Sequence, residues 1–309
     1  MFLKILKWTG IILIILVAGV SIATAMRQHV TFEAPTPDIK ASTDSVIIAK
    51  GKHIVLGPGH CADCHSSVRN VDSIVKLGQE VPMSGGYELA FDLGKFYARN
   101  LTSDKETGIG NMTDGEIARL LRYGVKKNGE AALPFMPFQN MSDEDLTAIV
   151  SYLRTLKPIK NKVPDHQYTA MGKVVKAFML KPEGPTEPIR VGVPEDSTAE
   201  YGKHMVMAVA NCNECHTKRD DIGRYIGKPL AGGWIMEGIE VPNLTPHSSS
   251  RIFSWSEEMF VNRFRMGRTN PKSHMPWEAF GRMTDLELKA IYRYLQTVEP
   301  APTGAELKK

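Results

Sequence analysis

The sequence predicts an all-α protein: two tandem helical domains of similar plan behind a membrane-spanning N-terminal helix. Three observations carry that expectation. A charge-free apolar run occupies residues 8–26. A Cys-x-x-Cys-His pentapeptide occurs twice, 151 residues apart. Downstream of each copy, apolar side chains recur at helical spacing behind residues that cap helices. Composition agrees. The 309 residues are 42% hydrophobic and 23% charged, enough for two ordinary cores. A wholly disordered, collagen-like or multi-span chain is excluded. The net charge of +4, part of it from Lys4 and Lys7, is too mild for the dense basic face of a nucleic-acid binder.

The first element is the run Trp8 to Met26. As a helix it is about 28 Å long, close to the thickness of a bilayer core. Lys4 and Lys7 precede it, so the positive-inside rule leaves them in the cytoplasm and puts Arg27 onward outside. Ala23-Thr24-Ala25 makes a cleaved signal peptide the competing reading. The run exceeds the usual signal core of about 7–15 residues, which favours a retained anchor. Residues 1–26 are thus an anchor or signal segment, and 27–43, with Pro35 and Pro37, a tether.

An outside location favours disulfides, but these cysteines stand in close pairs: Cys61-Ala62-Asp63-Cys64-His65 and Cys212-Asn213-Glu214-Cys215-His216. C-x-x-C-H is the attachment sequence for c-type haem. Two thiols one helical turn apart add to the two vinyl groups of one porphyrin. The histidine that follows is then held beneath the iron. A zinc ribbon needs its pairs some 15–20 residues apart, whereas Cys64 and Cys212 are 148 apart. A thioredoxin-type motif needs a βαβ neighbourhood that the pattern lacks. Two covalent haem c groups are expected, on Cys61, Cys64 and His65 and on Cys212, Cys215 and His216.

The chain repeats around these motifs. Gly51-Lys52-His53 answers Gly202-Lys203-His204, and Gly85-Gly86 answers Gly232-Gly233. Asn100-Leu101-Thr102 answers Asn243-Leu244-Thr245, and Arg122-Tyr123-Gly124 answers Arg265-Met266-Gly267. Met141-Ser142-Asp143 answers Met283-Thr284-Asp285. The expected domains are 44–158 and 197–300, with a tail at 301–309. Six prolines fall within 157–197 (Pro158, Pro164, Pro182, Pro185, Pro188 and Pro194), which makes 159–196 a Pro-rich linker. Its apolar stretch from Thr169 to Leu180 suits a short helix packed on a domain.

Within the repeats, Thr113 with Glu116 starts a helix that stops at Gly124. Ser142 caps another, with Leu146, Ile149, Val150 and Leu153 on one face. Thr284 and Glu287 cap its counterpart, carrying Leu288, Ile291 and Leu295.

The remaining axial position separates carrier from catalyst. A thioether there keeps iron six-coordinate and raises its potential. Met136, in Leu133-Pro134-Phe135-Met136-Pro137, and Met275, in Ser273-His274-Met275-Pro276, occupy equivalent loops. A proline after each stiffens the loop. Both are assigned as axial ligands, so the iron ligands are His65, Met136, His216 and Met275. Met83, Met112, Met141 and Met283 read as packing. His53 and His204 read as surface residues, and His60 as too close to Cys61 to reach the distal side. His274 reads as solvated. Arg122, Arg219 and Arg265 read as solvated charge, with propionate neutralisation or docking as the functional alternative. Asn100 and Asn243 read as polar loop residues near the propionates.

With these residues in place, each half resembles a class I cytochrome c domain. The globular part resembles the cytochrome c subunits of bacterial membrane-bound alcohol, gluconate and aldehyde dehydrogenases. The likeness rests on Asn100-Leu101-Thr102 with Thr107-Gly108-Ile109-Gly110, the Leu133–Pro137 loop, and Met141-Ser142-Asp143 with Tyr152-Leu153. In the second half it rests on Cys215 to Arg219, Leu230 to Gly233 and Pro242 to Pro246. It implies His/Met-ligated haem c and service as an electron conduit. Those subunits typically carry three haem domains, against two motifs here.

The functional expectation is a dihaem electron carrier at the outer side of a bacterial cytoplasmic membrane. Its partners would be redox proteins: a dehydrogenase or quinol-oxidising complex as donor and an acceptor such as a terminal oxidase. No nucleic acid or small-molecule substrate is expected. A dihaem peroxidase is the enzymatic alternative and needs one iron that opens, whereas both repeats offer a Met-Pro loop. A cysteine-ligated thiosulfate-oxidising enzyme is disfavoured, since no cysteine is spare. No phosphate-binding loop or catalytic triad is present, so a separate enzyme would bring any substrate site.

Overall fold

A computed structural model describes residues 1–220 and 223–307. Helix α1 (Phe2–Met26) is one uninterrupted rod, exposed along nearly its whole length. It is long and apolar enough to cross a membrane. The first half then runs α2 (Ser45–Leu56), α3 (Cys61–His65), α4 (Val71–Lys76), strands β1 (Glu88–Phe91) and β2 (Gly94–Tyr97), α5 (Asp114–Tyr123) and α6 (Asp143–Thr155). Between the halves lie β3 (Gln167–Tyr168) and α7 (Ala170–Phe178). The second half runs α8 (Ala199–His204), a π-helical turn (Met205–Val209), α9 (Cys212–His216), β4 (Ile235–Met236), β5 (Ile239–Glu240), α10 (Glu257–Arg265), α11 (Trp277–Phe280) and α12 (Asp285–Leu295).

Helices dominate, but the fold is not purely helical, which corrects the all-α expectation. In each half a short antiparallel hairpin follows the Gly-Gly pair: β1–β2 in the first, β4–β5 in the second. The β4–β5 turn, Glu237-Gly238, has φ of 46° and 82°, the left-handed geometry that matches strand twist. In the first half β3 adds to β2, pairing Gly94 with Tyr168.

The capping chemistry read in the sequence is present. Thr113/Glu116, Ser142/Asp145 and Thr284/Glu287 each form a reciprocal capping box. Gly124 closes α5 in the left-handed region, at φ 61°. Leu146, Ile149, Val150 and Leu153 on α6, and Leu288, Ile291 and Leu295 on α12, are buried.

In each half the helix before the motif crosses the last helix at a glycine. A Cβ on Gly51 would lie 1.8 Å from the carbonyl oxygen of Ala148, and one on Gly202 would lie 1.9 Å from that of Ala290. Only a missing side chain lets α2 approach α6, and α8 approach α12, so closely.

The tether and linker are docked rather than free. In the tether Phe32 donates to the Gly129 carbonyl, the Ala41 N–H donates to Asp114, and Ile39 is buried. In the linker the Arg190 and Val191 carbonyls accept from the Asp143 and Glu144 N–H groups in the first turn of α6. Buried side chains of the two halves form one continuous core.

Polar pairs cross that core. His204 on α8 lies 2.6 Å from Asp145 on α6, and His53 on α2 lies 2.9 Å from Glu287 on α12. Arg282 donates to the Leu56 carbonyl and to Asp72. His53 and His204, expected at the surface, are therefore interface residues, and His204 is buried. Each histidine meets the other half's capping carboxylate, which no local pattern reveals.

Candidate haem-binding sites

Each Cys-x-x-Cys-His segment is a single helical turn, and in both the residue before it takes a left-handed conformation: His60 at φ 38° and Asn211 at φ 49°. That bend starts the turn abruptly and sets the two thiols of each motif on it. The cysteines are unpaired. Burial pushes the Cys61 and Cys212 thiols up to about 12, and raises Cys64 and Cys215 as well. Such groups stay protonated near neutral pH. A redox or zinc cysteine instead needs a stabilised thiolate. Among the described residues no three His, Cys, Asp or Glu side chains converge as a metal-binding group.

The histidines are held by matching bonds. His65 Nδ1 donates to the Arg99 carbonyl and His216 Nδ1 to the Pro242 carbonyl, each at 2.8 Å. With Nδ1 engaged, Nε2 is the nitrogen left with a lone pair, as an axial ligand requires. Burial lowers both imidazoles and outweighs these bonds, which keeps them neutral. The chain then turns back in the same way twice. Gly85 donates to the His65 carbonyl and Gly232 to that of His216. Free adjacent thiols, an oriented neutral imidazole and a repeated cradle fit covalent haem.

Met136 and Met275 sit half-buried in equivalent turns. The Met136 carbonyl accepts from Phe138 N–H at 2.9 Å, and that of Met275 from Trp277 N–H at 2.8 Å. Pro276, at φ −76° and ψ 64°, is the centre of an inverse γ-turn. Proline thus fixes the backbone beside each thioether. A cavity of about 140 Å³ has Met136, Leu120 and Leu133 on one side and Glu214 and Arg219, from the second motif and its flank, on the other. Conversely, Asp63 of the first motif lies in the field of Arg282, Glu278 and Arg268, around the Met275 loop. Burial, opposed by Arg282, lifts its carboxyl to about 6. The second motif thus shares a cavity with the Met136 loop, and His60, beside the first motif, meets Phe280 just beyond the Met275 loop. Met83, Met141 and Met283 are core side chains.

A family model described as Cytochrome c matches residues 48–157. This segment is a cytochrome c domain. Over 292 residues, 85% of the chain, the protein is 28% identical to the cytochrome c subunit of alcohol dehydrogenase (quinone) from Gluconobacter oxydans, covering 57% of that relative. It is 26% identical to the fructose dehydrogenase cytochrome subunit of Gluconobacter japonicus, over 99% of this chain and 61% of the relative. A diheme cytochrome c-type protein of Cereibacter sphaeroides is 28% identical over 61% of this chain and 64% of its own length. The chain thus spans about six-tenths of the curated relatives it matches. The peroxidase alternative gains no support from these likenesses.

The other polar residues singled out in the sequence have these surroundings. Arg122 is buried, with Nη1 donating to Asp143 at 2.6 Å and Nη2 to the Met141 carbonyl at 2.9 Å. Arg265 repeats this with Asp285 and the Met283 carbonyl. Both bind the start of the last helix; Arg122 is not the solvated charge expected, whereas Arg265 stays exposed while making the same bonds. Arg219 pairs with Glu214 and Tyr225 beside the second motif. Asn100 and Asn243 are buried too. Their Oδ1 atoms accept from Thr102 and Thr245, and their Nδ2 groups donate to the Ile159 and Ala301 carbonyls at 2.8 Å. They clamp the chain leaving each last helix, a role that uses every part of the amide. His60 stacks edge-on against Phe280, and His274 is half-exposed beside Glu237.

Proposed function

We infer that this chain is a dihaem c-type cytochrome, with two tandem haem domains, relaying electrons from a membrane or periplasmic donor to an acceptor. The observation that carries this reading is the duplication of the whole attachment unit. Left-handed entry, two unpaired thiols, a carbonyl-bound Nδ1 and a Met-Pro turn recur in both halves.

When bound, haem supplies an iron that gains and loses one electron. Cys61, Cys64, Cys212 and Cys215 would hold the two groups as thioethers, and His65 and His216 would offer Nε2 on one side. Met136 and Met275 would close the other side, favouring electron transfer over ligand chemistry and raising the potentials. Because each motif lies beside residues of the other half, the arrangement supports electron exchange within one molecule. The donor is then a dehydrogenase or quinol-oxidising complex and the acceptor a protein such as a terminal oxidase, consistent with relatives named as dehydrogenase cytochrome subunits. Helix α1 would anchor the chain in the cytoplasmic membrane with the haem domains on the outer side.

Expression in a host able to attach haem, followed by intact mass, tests the count: the protein should outweigh its polypeptide by two haems. Met136→Ala and Met275→Ala should each lower one haem's potential and open one iron to carbon monoxide. A mass increment of one haem, or variants whose spectra and carbon monoxide binding match the parent, would reject the assignment.

A further inference from the structure

We propose that α7 is a second membrane contact, lying in the headgroup layer of an anionic bilayer beside the exit of α1. The proposal rests on reading α1 as a span. The charge-free run ends at Met26, so the hydrocarbon boundary falls at the last turn of α1. Helix α7 is fastened to that turn. Arg27 Nε donates to the Ala177 carbonyl, and Gln28 Nε2 donates to the Lys173 and Thr24 carbonyls. The Arg27 guanidinium lies 5.3 Å from the Phe178 ring. Thr24 is buried, in contrast to the exposed body of α1. The height of α7 above the bilayer is thereby fixed.

Its outer surface suits that height. Met171 is 63% exposed, Phe178 44% and Met179 49%. Met171 and Phe178, seven residues apart, share one helix face. Lys173 and Lys181 are exposed among them, Lys176 is half-exposed, and Asp165 to Glu183 brackets a stretch without a carboxylate. Apolar side chains with interspersed lysines and no acids match an interfacial helix on acidic lipid. The opposite side is committed to protein: Gly172 packs on the Leu93 backbone, and Ala177 is buried.

The test uses full-length holoprotein carrying Met171→Cys or Met179→Cys, nitroxide-labelled, in lipid nanodiscs. One set is phosphatidylcholine alone; the other is equal parts phosphatidylcholine and phosphatidylglycerol. Collisions with oxygen and with a water-soluble nickel chelate report depth. The expected result is a severalfold higher oxygen-to-chelate ratio in the acidic discs. Lys173→Glu with Lys181→Glu should abolish the difference between lipids. Labels that remain chelate-accessible in acidic discs overturn the proposal. Labels shielded from both reagents also overturn it, because they place protein, such as a second copy, on this face. Two controls separate it from the readings beneath it. Parent protein that takes up label counts against thioether-bonded cysteines, and extraction by alkaline carbonate counts against the span.

Discussion

The buried pair Asp145–His204 gives the sharpest energetic expectation. Asp145 on α6 caps its own helix through Ser142, meets Lys50 of α2 at 3.2 Å and meets His204 of α8 at 2.6 Å. Burial alone would raise its carboxyl, but His204, Lys50 and Ser142 outweigh that and hold it at about 2. The fall from an ordinary 3.8 to about 2 corresponds to about 2.5 kcal/mol of native-state preference for the carboxylate. Asp145→Asn keeps the shape and the capping oxygen but removes the charge. It should cost about 2.5 kcal/mol at pH 6. Because the native value is depressed, the contribution is complete above the unfolded value near 4 and is lost as pH falls toward 2. The gap between parent and variant should therefore shrink below pH 4. Urea denaturation of the detergent-solubilised holoprotein, followed by Soret absorbance and circular dichroism, measures it. A double-mutant cycle with His204→Gln isolates the coupling. A gap below about 0.5 kcal/mol at pH 6, the scale of an exposed ion pair, would refute the reasoning. So would a gap that does not change between pH 6 and pH 3.

Three further outcomes are expected. Gly51→Ala or Gly202→Ala forces a Cβ within 2 Å of a backbone carbonyl; a cost of about 3 kcal/mol or more should appear as a lowered thermal midpoint and reduced haem retention. Burial lowers His53, but Glu287 outweighs it, so its net shift is upward. The stabilising difference between parent and His53→Gln should be full below pH 6.5 and decline in alkaline titration as pH rises through the native value. Asn100→Ala and Asn243→Ala each strand buried partners and should cost about 1–3 kcal/mol by denaturant midpoint, as Ser103→Ala, which loses one bond to the Leu156 carbonyl, should not.

What the sequence displayed is what neighbouring residues settle among themselves. Capping boxes, the Gly124 stop and the stripes on α6 and α12 depend on spacings of three or four residues, and they stand where the pattern put them. The hairpins leave no signal in the sequence because strands of two to four residues are too short to show alternation. The repeated Gly-Lys-His was visible as a repeat, but its meaning was not. Gly51 and Gly202 matter through Ala148 and Ala290, 97 and 88 residues away. His53 and His204 matter through carboxylates of the opposite half. Arg122 looked like surface charge because its shielding comes from the chain around Met141. At the candidate haem sites, the attachment pentapeptides were legible as chemistry. The carbonyls that orient the imidazoles, at Arg99 and Pro242, carry no side-chain signature at all.

The reciprocal clasp between capping carboxylates and imidazoles constrains how such a chain can change by recombination. Asp145 serves His204 and Glu287 serves His53, so each half completes a polar pair of the other. A chimaera that swaps one half for that of a relative must bring a matching acid and a matching base together, or it inherits two mismatched joints at once. Once duplicated and interlocked in this way, the two copies have to vary as a pair.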